Sequence, residues 1–127
     1  MITRKRELPE TVKTQMRGGD GEVRMKELWQ FCGHGRLFNY MVLAPGCSIG
    51  YHEHQGESET FYILAGEARY NDNGTEVTLS PGDCAHTASG QGHSIANAGE
   101  TPLEFIALIV KRQGSGLDEN CADPDFN

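Results

Sequence analysis

The chain has 127 residues, a length typical of one domain, and its 37% of hydrophobic residues can build a core, so a fully disordered chain is excluded. No run of about 18 apolar residues exists, which excludes a transmembrane helix. The 11 basic and 18 acidic residues leave a net charge of −7. Because such a chain repels phosphate groups, we expect neither nucleic acid nor a membrane surface as a partner.

Residues 1–30 are interpreted as an N-terminal arm. They mix charged and small polar residues, and the glycine-rich residues 18–21 interrupt a weak helical pattern. Val23 and Met25 alternate with charged neighbours, which predicts one short strand in residues 23–29. The arm could cross to a second copy of the chain in a homodimer.

Short apolar segments separated by turn residues follow the arm. Glycine accounts for 16 of the 127 residues, well above its ordinary share of about 7%, and it lies between these segments. Asn73-Gly74 is typical of a tight hairpin turn, because both residues tolerate a positive φ. The pattern predicts an all-β antiparallel sandwich or barrel with little helix. The predicted strands are residues 37–43, 59–64, 68–71, 75–79, 84–87, 93–97 and 103–110.

The four cysteines, Cys32, Cys47, Cys84 and Cys121, do not have the spacing of a zinc module or a disulfide framework. We interpret them as reduced thiols, with Cys47 and Cys84 as small core residues, which predicts a cytoplasmic protein. The basic start of the chain is followed by no apolar segment, so no secretory signal is expected. Residues 113–127 are interpreted as a flexible acidic tail.

Two histidines and a glutamate are the main candidates for a functional site. His52 and His54 are two residues apart, so on a strand both imidazoles point to the same face. Glu59 opens the next strand and shares its face with Phe61 and Ile63, so its carboxylate is predicted to point into the core. A buried carboxylate needs a partner, and histidines with a divalent cation would provide one.

The spacing of these residues resembles the two motifs of the cupin superfamily. Gly46, His52, His54, Glu59 and Gly66 reproduce the spacing of the first motif. The second motif is matched by Gly82, Gly90, His93 and Asn97, although Ala88 replaces its proline. The 15 residues between Gly66 and Gly82 are typical of small single-domain members of the superfamily.

The resemblance implies a jelly-roll barrel, also called a double-stranded β-helix, over residues 31–112. It also implies that His52, His54, Glu59 and His93 hold one divalent transition metal ion per chain. Iron, manganese, nickel, zinc and copper all suit this ligand set. A small molecule would bind in the barrel beside the ion.

Two further residues are candidates for catalysis. Tyr40 is the tyrosine expected to line the cavity, because Tyr51 and Tyr62 alternate with predicted inward-facing residues. His86 could act as an acid, a base or a support for a ligand. The non-catalytic alternatives are that Tyr40 is an ordinary core residue and that His86 lies on the surface.

The resemblance implies several reactions and does not select one. A metal-dependent small-molecule enzyme, of the dioxygenase, decarboxylase, isomerase, cyclase or lyase type, is the favoured function. The alternative is a non-catalytic module that binds or senses a small molecule. We also expect a homodimer, because Tyr62 and Leu64 point away from the core and need to be covered.

Overall fold

Ten β-strands form most of the part of the chain that the computed structural model describes, residues 1–31 and 33–111. The only helical structure in these residues is two short 3₁₀ turns, at Lys5–Glu7 and Met16–Gly18. The predicted all-β class is therefore confirmed, and the predicted strands agree with the observed ones to within about two residues. The strands are β1 Thr11–Thr14, β2 Glu22–Glu27, β3 Gly35–Leu43, β4 Ser48–Glu53, β5 Glu57–Ala65, β6 Ala68–Asp72, β7 Thr75–Leu79, β8 Cys84–Thr87, β9 Gly92–Asn97 and β10 Leu103–Lys111.

The strands form two antiparallel sheets. The large sheet has the order β1-β2-β3-β10-β5-β8, and the small sheet has the order β4-β9-β6-β7. Neighbouring strands are mostly distant in sequence, as β3, β10 and β5 are in the centre of the large sheet. This crossing of the chain between two sheets is consistent with the jelly-roll fold.

The core lies between the two sheets and follows the alternation of each strand. On β10, Phe105, Ala107 and Ile109 are buried, while Ile106 and Val110, on the other face, are partly or largely exposed. The apolar run of β10 suggests burial on both faces, but only its inner face is fully covered. On the outer face of the large sheet, Lys5 covers Tyr40, while Val110 stays exposed.

Two strands of the large sheet lie within residues 1–30. β1 pairs with β2, and β2 pairs with β3, which places Val23 opposite Leu43 and Met25 opposite Met41. Val23 and Met25 are 1% and 7% exposed, so this segment contributes to the core. A crossing of the arm to a second copy stays a prediction.

The described cysteines form no disulfide. Cys47 is half-buried and packs against the core, but Cys84 is exposed on β8, so the expectation that Cys84 is a core residue is wrong. Cys32, Cys121 and the predicted tail at 113–127 lie outside the described residues. In residues 1–31 and 33–111, no helix has the length and apolar character needed to cross a membrane. A cytoplasmic location stays a prediction.

Candidate functional site

A β-bulge in β4 brings Ile49 and His52 to the same side of the strand, toward the space between the sheets. Ile49 pairs with Ile95 and His52 pairs with His93, so β4 has one residue more than β9 over this stretch. Simple alternation would place Ile49 and His52 on opposite faces, and the extra residue brings both to the inner face. Tyr51 points outward and is 48% exposed, as its alternation with His52 predicts.

Glu59 and His93 reach the same space from two other strands. Glu59 lies on β5 on the face of Phe61 and Ile63, and its residue is 6% exposed, as predicted. His93 lies on β9, is 1% exposed, and stacks on the ring of Phe61 with 5.0 Å between the ring centroids. Both sheets therefore contribute to one buried cluster.

The four predicted metal ligands lie together, and we call them the His–Glu cluster: His52, His54, Glu59 and His93. One ligand atom from each residue lies within 4.8 Å of the others. Oε1 of Glu59 is 3.0 Å from Nε2 of His54, 2.9 Å from Nε2 of His93 and 4.0 Å from Nε2 of His52. Nε2 of His54 and Nε2 of His93 are 3.1 Å apart.

Each imidazole of the cluster is held at its other nitrogen. Nδ1 of His52 is 2.8 Å from the Gly50 carbonyl oxygen, and Nδ1 of His54 is 3.2 Å from Oε1 of Glu57. Nδ1 of His93 is 2.8 Å from the Tyr70 hydroxyl and 2.9 Å from the Thr87 hydroxyl. All three rings therefore direct Nε2 at Glu59.

This arrangement fits a bound cation. A carbonyl and a carboxylate only accept hydrogen bonds, so Nδ1 of His52 and Nδ1 of His54 carry the protons in these contacts. In the neutral rings, Nε2 then presents a lone pair to the Glu59 carboxylate, and two electron-rich groups repel each other. A proton or a metal ion among these atoms removes the repulsion, and three imidazoles with one carboxylate suit a divalent transition metal.

The pKa values of the metal-free cluster reflect the same contacts. Burial would raise the pKa of Glu59, but hydrogen bonds from His54 and His93 outweigh it and lower the pKa to about 2. The hydrogen bond to Glu59 raises the pKa of His54, although burial opposes this change. Burial lowers the pKa of His52, against the opposing effect of the Gly50 carbonyl. The carboxylate is thus ionised and available as a ligand.

A cavity of about 310 Å³ lies beside the cluster. His52, His54 and Glu59 form its polar end, and the rest of its wall is mainly apolar. Lys13, Arg17 and Arg36, which we call the cationic rim, line the same cavity and are exposed, so the cavity reaches solvent. Such a volume suits a small molecule, and the rim favours an anion. The apolar lining residues are Met16, Leu37, Met41, Ile49, Phe61 and Ile109.

The two proposed catalytic candidates do not join the cluster. Tyr40 lies on the outer face of β3, where its hydroxyl bonds Glu104 and Lys5 covers its ring, so the expectation that it lines the cavity is wrong. Apolar residues occur on both faces of β3, and the face that carries Met41 packs into the core. His86 is exposed on β8 and contacts the Thr60 hydroxyl at 2.8 Å, so it also points away from the cavity.

Sequence reasoning missed the residues that support the cluster. Tyr70, Thr87 and Glu57 hold the Nδ1 atoms, and the cationic rim lies across the cavity. Thr87 lies six residues before His93 and Tyr70 lies on another hairpin, so no local spacing marks them. Glu57 is the one that the sequence could have indicated, because it lies two residues before Glu59 on a strand and therefore on the same face.

The structure also explains the residue that departs from the second motif. The Ala88 N–H donates to Oε1 of Gln91 at 3.1 Å, and the Gln91 N–H donates to the Ala88 carbonyl at 3.0 Å. A proline at this position could not donate the first of these bonds. Hydrogen bonding therefore braces the turn before His93 where the motif uses a proline ring.

Comparison with known proteins finds a matching family and similar proteins. The Cupin domain family matches residues 39–109. An oxalate-binding protein of Thermotoga maritima is 45% identical over 113 residues, which are 87% of this chain and 93% of that protein. A tetracenomycin polyketide synthase protein of Streptomyces glaucescens is 32% identical over 73 residues, 58% of this chain and 49% of that protein.

A solved structure extends the similarity to the whole fold. The crystal structure of a predicted oxalate decarboxylase from Thermotoga maritima has a TM-score of 0.84 to this chain and is 44% identical to it. The match covers 87% of this chain and 99% of that one. The two sheets described above are therefore those of a known fold.

Proposed function

The chain belongs to the cupin family, and on this premise we propose that it binds a divalent transition metal ion and, beside that ion, a small carboxylate such as oxalate. The observation that carries the proposal is the His–Glu cluster. Four ligand atoms lie within 4.8 Å of one another beside a cavity with a cationic rim. His52, His54, Glu59 and His93 would hold the ion.

A divalent ion held by these residues would act as a Lewis acid that attracts carboxylate oxygens. The chain's own residues have two further tasks. Lys13 and Arg17 attract the second negative charge of a dicarboxylate, and Met41 and Phe61 keep water away from the bound molecule. Arg36 lines the cavity too, but its guanidinium is engaged by Glu57 at 2.6 Å.

The choice of oxalate is supported by two kinds of observation. A protein with a net charge of −7 that places Lys13 and Arg17 at one cavity is suited to a small anion. The relative from Thermotoga maritima, 45% identical to this chain, is an oxalate-binding protein. The cavity of about 310 Å³ has room for a two-carbon dicarboxylate.

A second candidate function is decarboxylation of the same ligand. The similar crystal structure of a predicted oxalate decarboxylase favours it. The reaction breaks the carbon–carbon bond of oxalate, releases carbon dioxide, and adds one proton to the remaining carbon to give formate. Lys13 is the ammonium group at the cavity that could supply this proton. The dioxygenase, isomerase, cyclase and other lyase types have less support, because neither the Thermotoga maritima relative nor the similar crystal structure is described by such a reaction.

The test begins with the metal content of the purified protein, measured by elemental analysis. We expect near-stoichiometric transition metal in the wild type and its loss in a His52→Ala/His93→Ala double variant. The matched control is His86→Ala, which removes an exposed imidazole on the outer face and should keep the metal. Protein that holds no metal, even after reconstitution, would overturn the metal site.

The same preparations test the carboxylate. Isothermal titration with oxalate should give binding to the metal-loaded wild type and at least about tenfold weaker binding to Lys13→Met/Arg17→Met. Arg69→Met removes an exposed cation of β6 outside the cavity and should have no effect. Equal binding by both variants would contradict the role of the rim. Formation of formate from oxalate would support the enzyme, and binding without formate would support the non-catalytic alternative.

A further inference from the structure

We propose that Glu57, held in place by Arg36, is the positioning residue for His54 and thereby sets the metal affinity of the cluster. This inference rests on the proposed metal site and adds a residue to it. Glu57 is not a metal ligand in the proposal, because its carboxylate lies on the Nδ1 side of the His54 ring.

The Glu57 carboxylate is held from two directions. Arg36 donates to it through Nε at 2.6 Å and through Nη2 at 3.0 Å, one bond to each oxygen. Nδ1 of His54 lies 3.2 Å from Oε1 of the same carboxylate. The side chains of Glu57 and His54 are only 17% and 2% exposed, so water competes little for the second contact. A bidentate pair at one end therefore fixes the acceptor that His54 meets at the other.

The backbone of His54 is fixed separately from its ring. It follows the end of β4, where its N–H donates to the Gln91 carbonyl at 3.1 Å and its carbonyl accepts from the Gly90 N–H at 2.7 Å. These bonds fix the backbone, but they do not set the orientation of the imidazole. The contact with Glu57 is the hydrogen bond at Nδ1, and it favours the ring orientation in which Nε2 faces Glu59.

The cluster depends on that orientation. Nε2 of His54 lies 3.0 Å from Oε1 of Glu59 and 3.1 Å from Nε2 of His93, so it is in contact with two of the other three ligands. The supports also differ in charge. His52 is held by a carbonyl and His93 by two hydroxyls, whereas His54 is held by an anion. An anionic partner makes the ring a stronger electron donor to a metal ion.

The experiment measures Co²⁺ binding by competition with a chelator, together with the visible absorption spectrum of the bound ion. We expect Glu57→Gln and Glu57→Leu to weaken Co²⁺ binding by about 10- to 100-fold and to change the spectrum. The matched control is Glu53→Gln, which changes the exposed carboxylate of the residue that precedes His54. It should leave the Co²⁺ affinity and the spectrum unchanged. Melting temperatures of the metal-free variants, measured by calorimetry, should stay close to that of the wild type.

Arg36 provides a second route to the same conclusion. Arg36→Met should weaken Co²⁺ binding in the wild type, and it should have no further effect on Co²⁺ in the Glu57→Gln background, because it acts through Glu57. Wild-type Co²⁺ affinity in both Glu57 variants would overturn the inference, and so would additive losses from Arg36 and Glu57. His54→Ala distinguishes the two proposals: if it binds Co²⁺ as the wild type does, the metal site itself is wrong.

Discussion

The hydrogen bond at Nδ1 decides what each histidine of the cluster can do. A backbone carbonyl, a carboxylate and a pair of hydroxyls hold the three rings, and each leaves Nε2 directed at Glu59. The bonds from the two hydroxyls are buried and the other two contacts are partly buried, so water competes little with them and the rings stay in place. At the scale of single residues, the four potential ligand atoms are held together without an ion.

The hydroxyl of Tyr70 offers a test of this arrangement. It lies 2.8 Å from Nδ1 of His93 and 2.8 Å from the Thr87 hydroxyl, and burial raises the pKa of Tyr70 to about 12. Tyr70→Phe should lower the free energy of unfolding by about 1 kcal/mol and weaken metal binding by about tenfold. Calorimetry of the metal-free protein and Co²⁺ titration measure the two effects.

The control for this variant is Tyr62→Phe. Tyr62 is 44% exposed on the outer face of β5, so loss of its hydroxyl should change neither stability nor metal binding. If Tyr70→Phe binds Co²⁺ as tightly as the wild type, the Thr87 hydroxyl alone suffices to hold His93.

At the scale of elements, the bulged strand β4 and the 3₁₀ turn Met16–Gly18 are joined by close backbone contact. A Cβ atom added at Gly50 would clash with the Arg17 carbonyl oxygen and would lie 3.0 Å from the Gly19 nitrogen. A glycine at position 50 therefore lets the turn rest on β4. This contact between the turn and β4 places Met16 and Arg17 at the cavity.

Gly50→Ala should separate these two elements. Because the clash is with backbone atoms, we expect a loss of about 1–3 kcal/mol in the free energy of unfolding, as in overpacked sites. Oxalate binding should weaken as Arg17 moves away from the cavity. Denaturant unfolding and oxalate titration measure these changes.

Gly99→Ala is the control for the glycine variant. Its added Cβ would meet only Oδ1 of Asn97, at 3.8 Å, which is an ordinary contact, so its stability should change by less than about 0.5 kcal/mol. Equal stability of the two alanine variants would contradict the close approach at Gly50.

At the scale of the whole molecule, the two faces of the large sheet differ in how well they are covered. The inner face packs on the small sheet, while Tyr62, Leu64 and Val110 on the outer face are 44%, 45% and 38% exposed. These three residues lie on the neighbouring strands β5 and β10. An exposed apolar surface on a sheet is typical of an interface, and we propose that a second copy of the chain covers it.

The predicted homodimer can be tested by changing this surface. Tyr62→Lys/Leu64→Lys should convert a dimer into a monomer, because it places charges in the apolar interface, and should leave the metal content unchanged. Sedimentation velocity gives the mass of each species. Val77→Lys, at a residue 39% exposed on β7 of the small sheet, should remain dimeric. A monomeric wild type would contradict the proposal.

The all-β class, most of the strands and the four residues of the His–Glu cluster are predictable from the sequence, whereas β1 is not. Local rules suffice for the strands, because side chains alternate along a strand and glycine marks its turns. The spacing of His52, His54 and Glu59 is likewise local. His93 is assigned to the cluster from the resemblance to the second cupin motif. The family then followed from the motifs, and the match over residues 39–109 confirms it.

Tertiary packing, in contrast, selects which face of each strand turns inward and which distant residues meet. Both faces of β3 carry apolar residues, so alternation could not place Tyr40, and its position outside the cavity followed from the packing of Met41 against the core. Tyr70 reaches His93 because β6 pairs with β9, and Arg36 reaches Glu57 because β3 and β5 both pair with β10. Strand pairing joins residues far apart in the chain, and one sequence carries no local mark of its register.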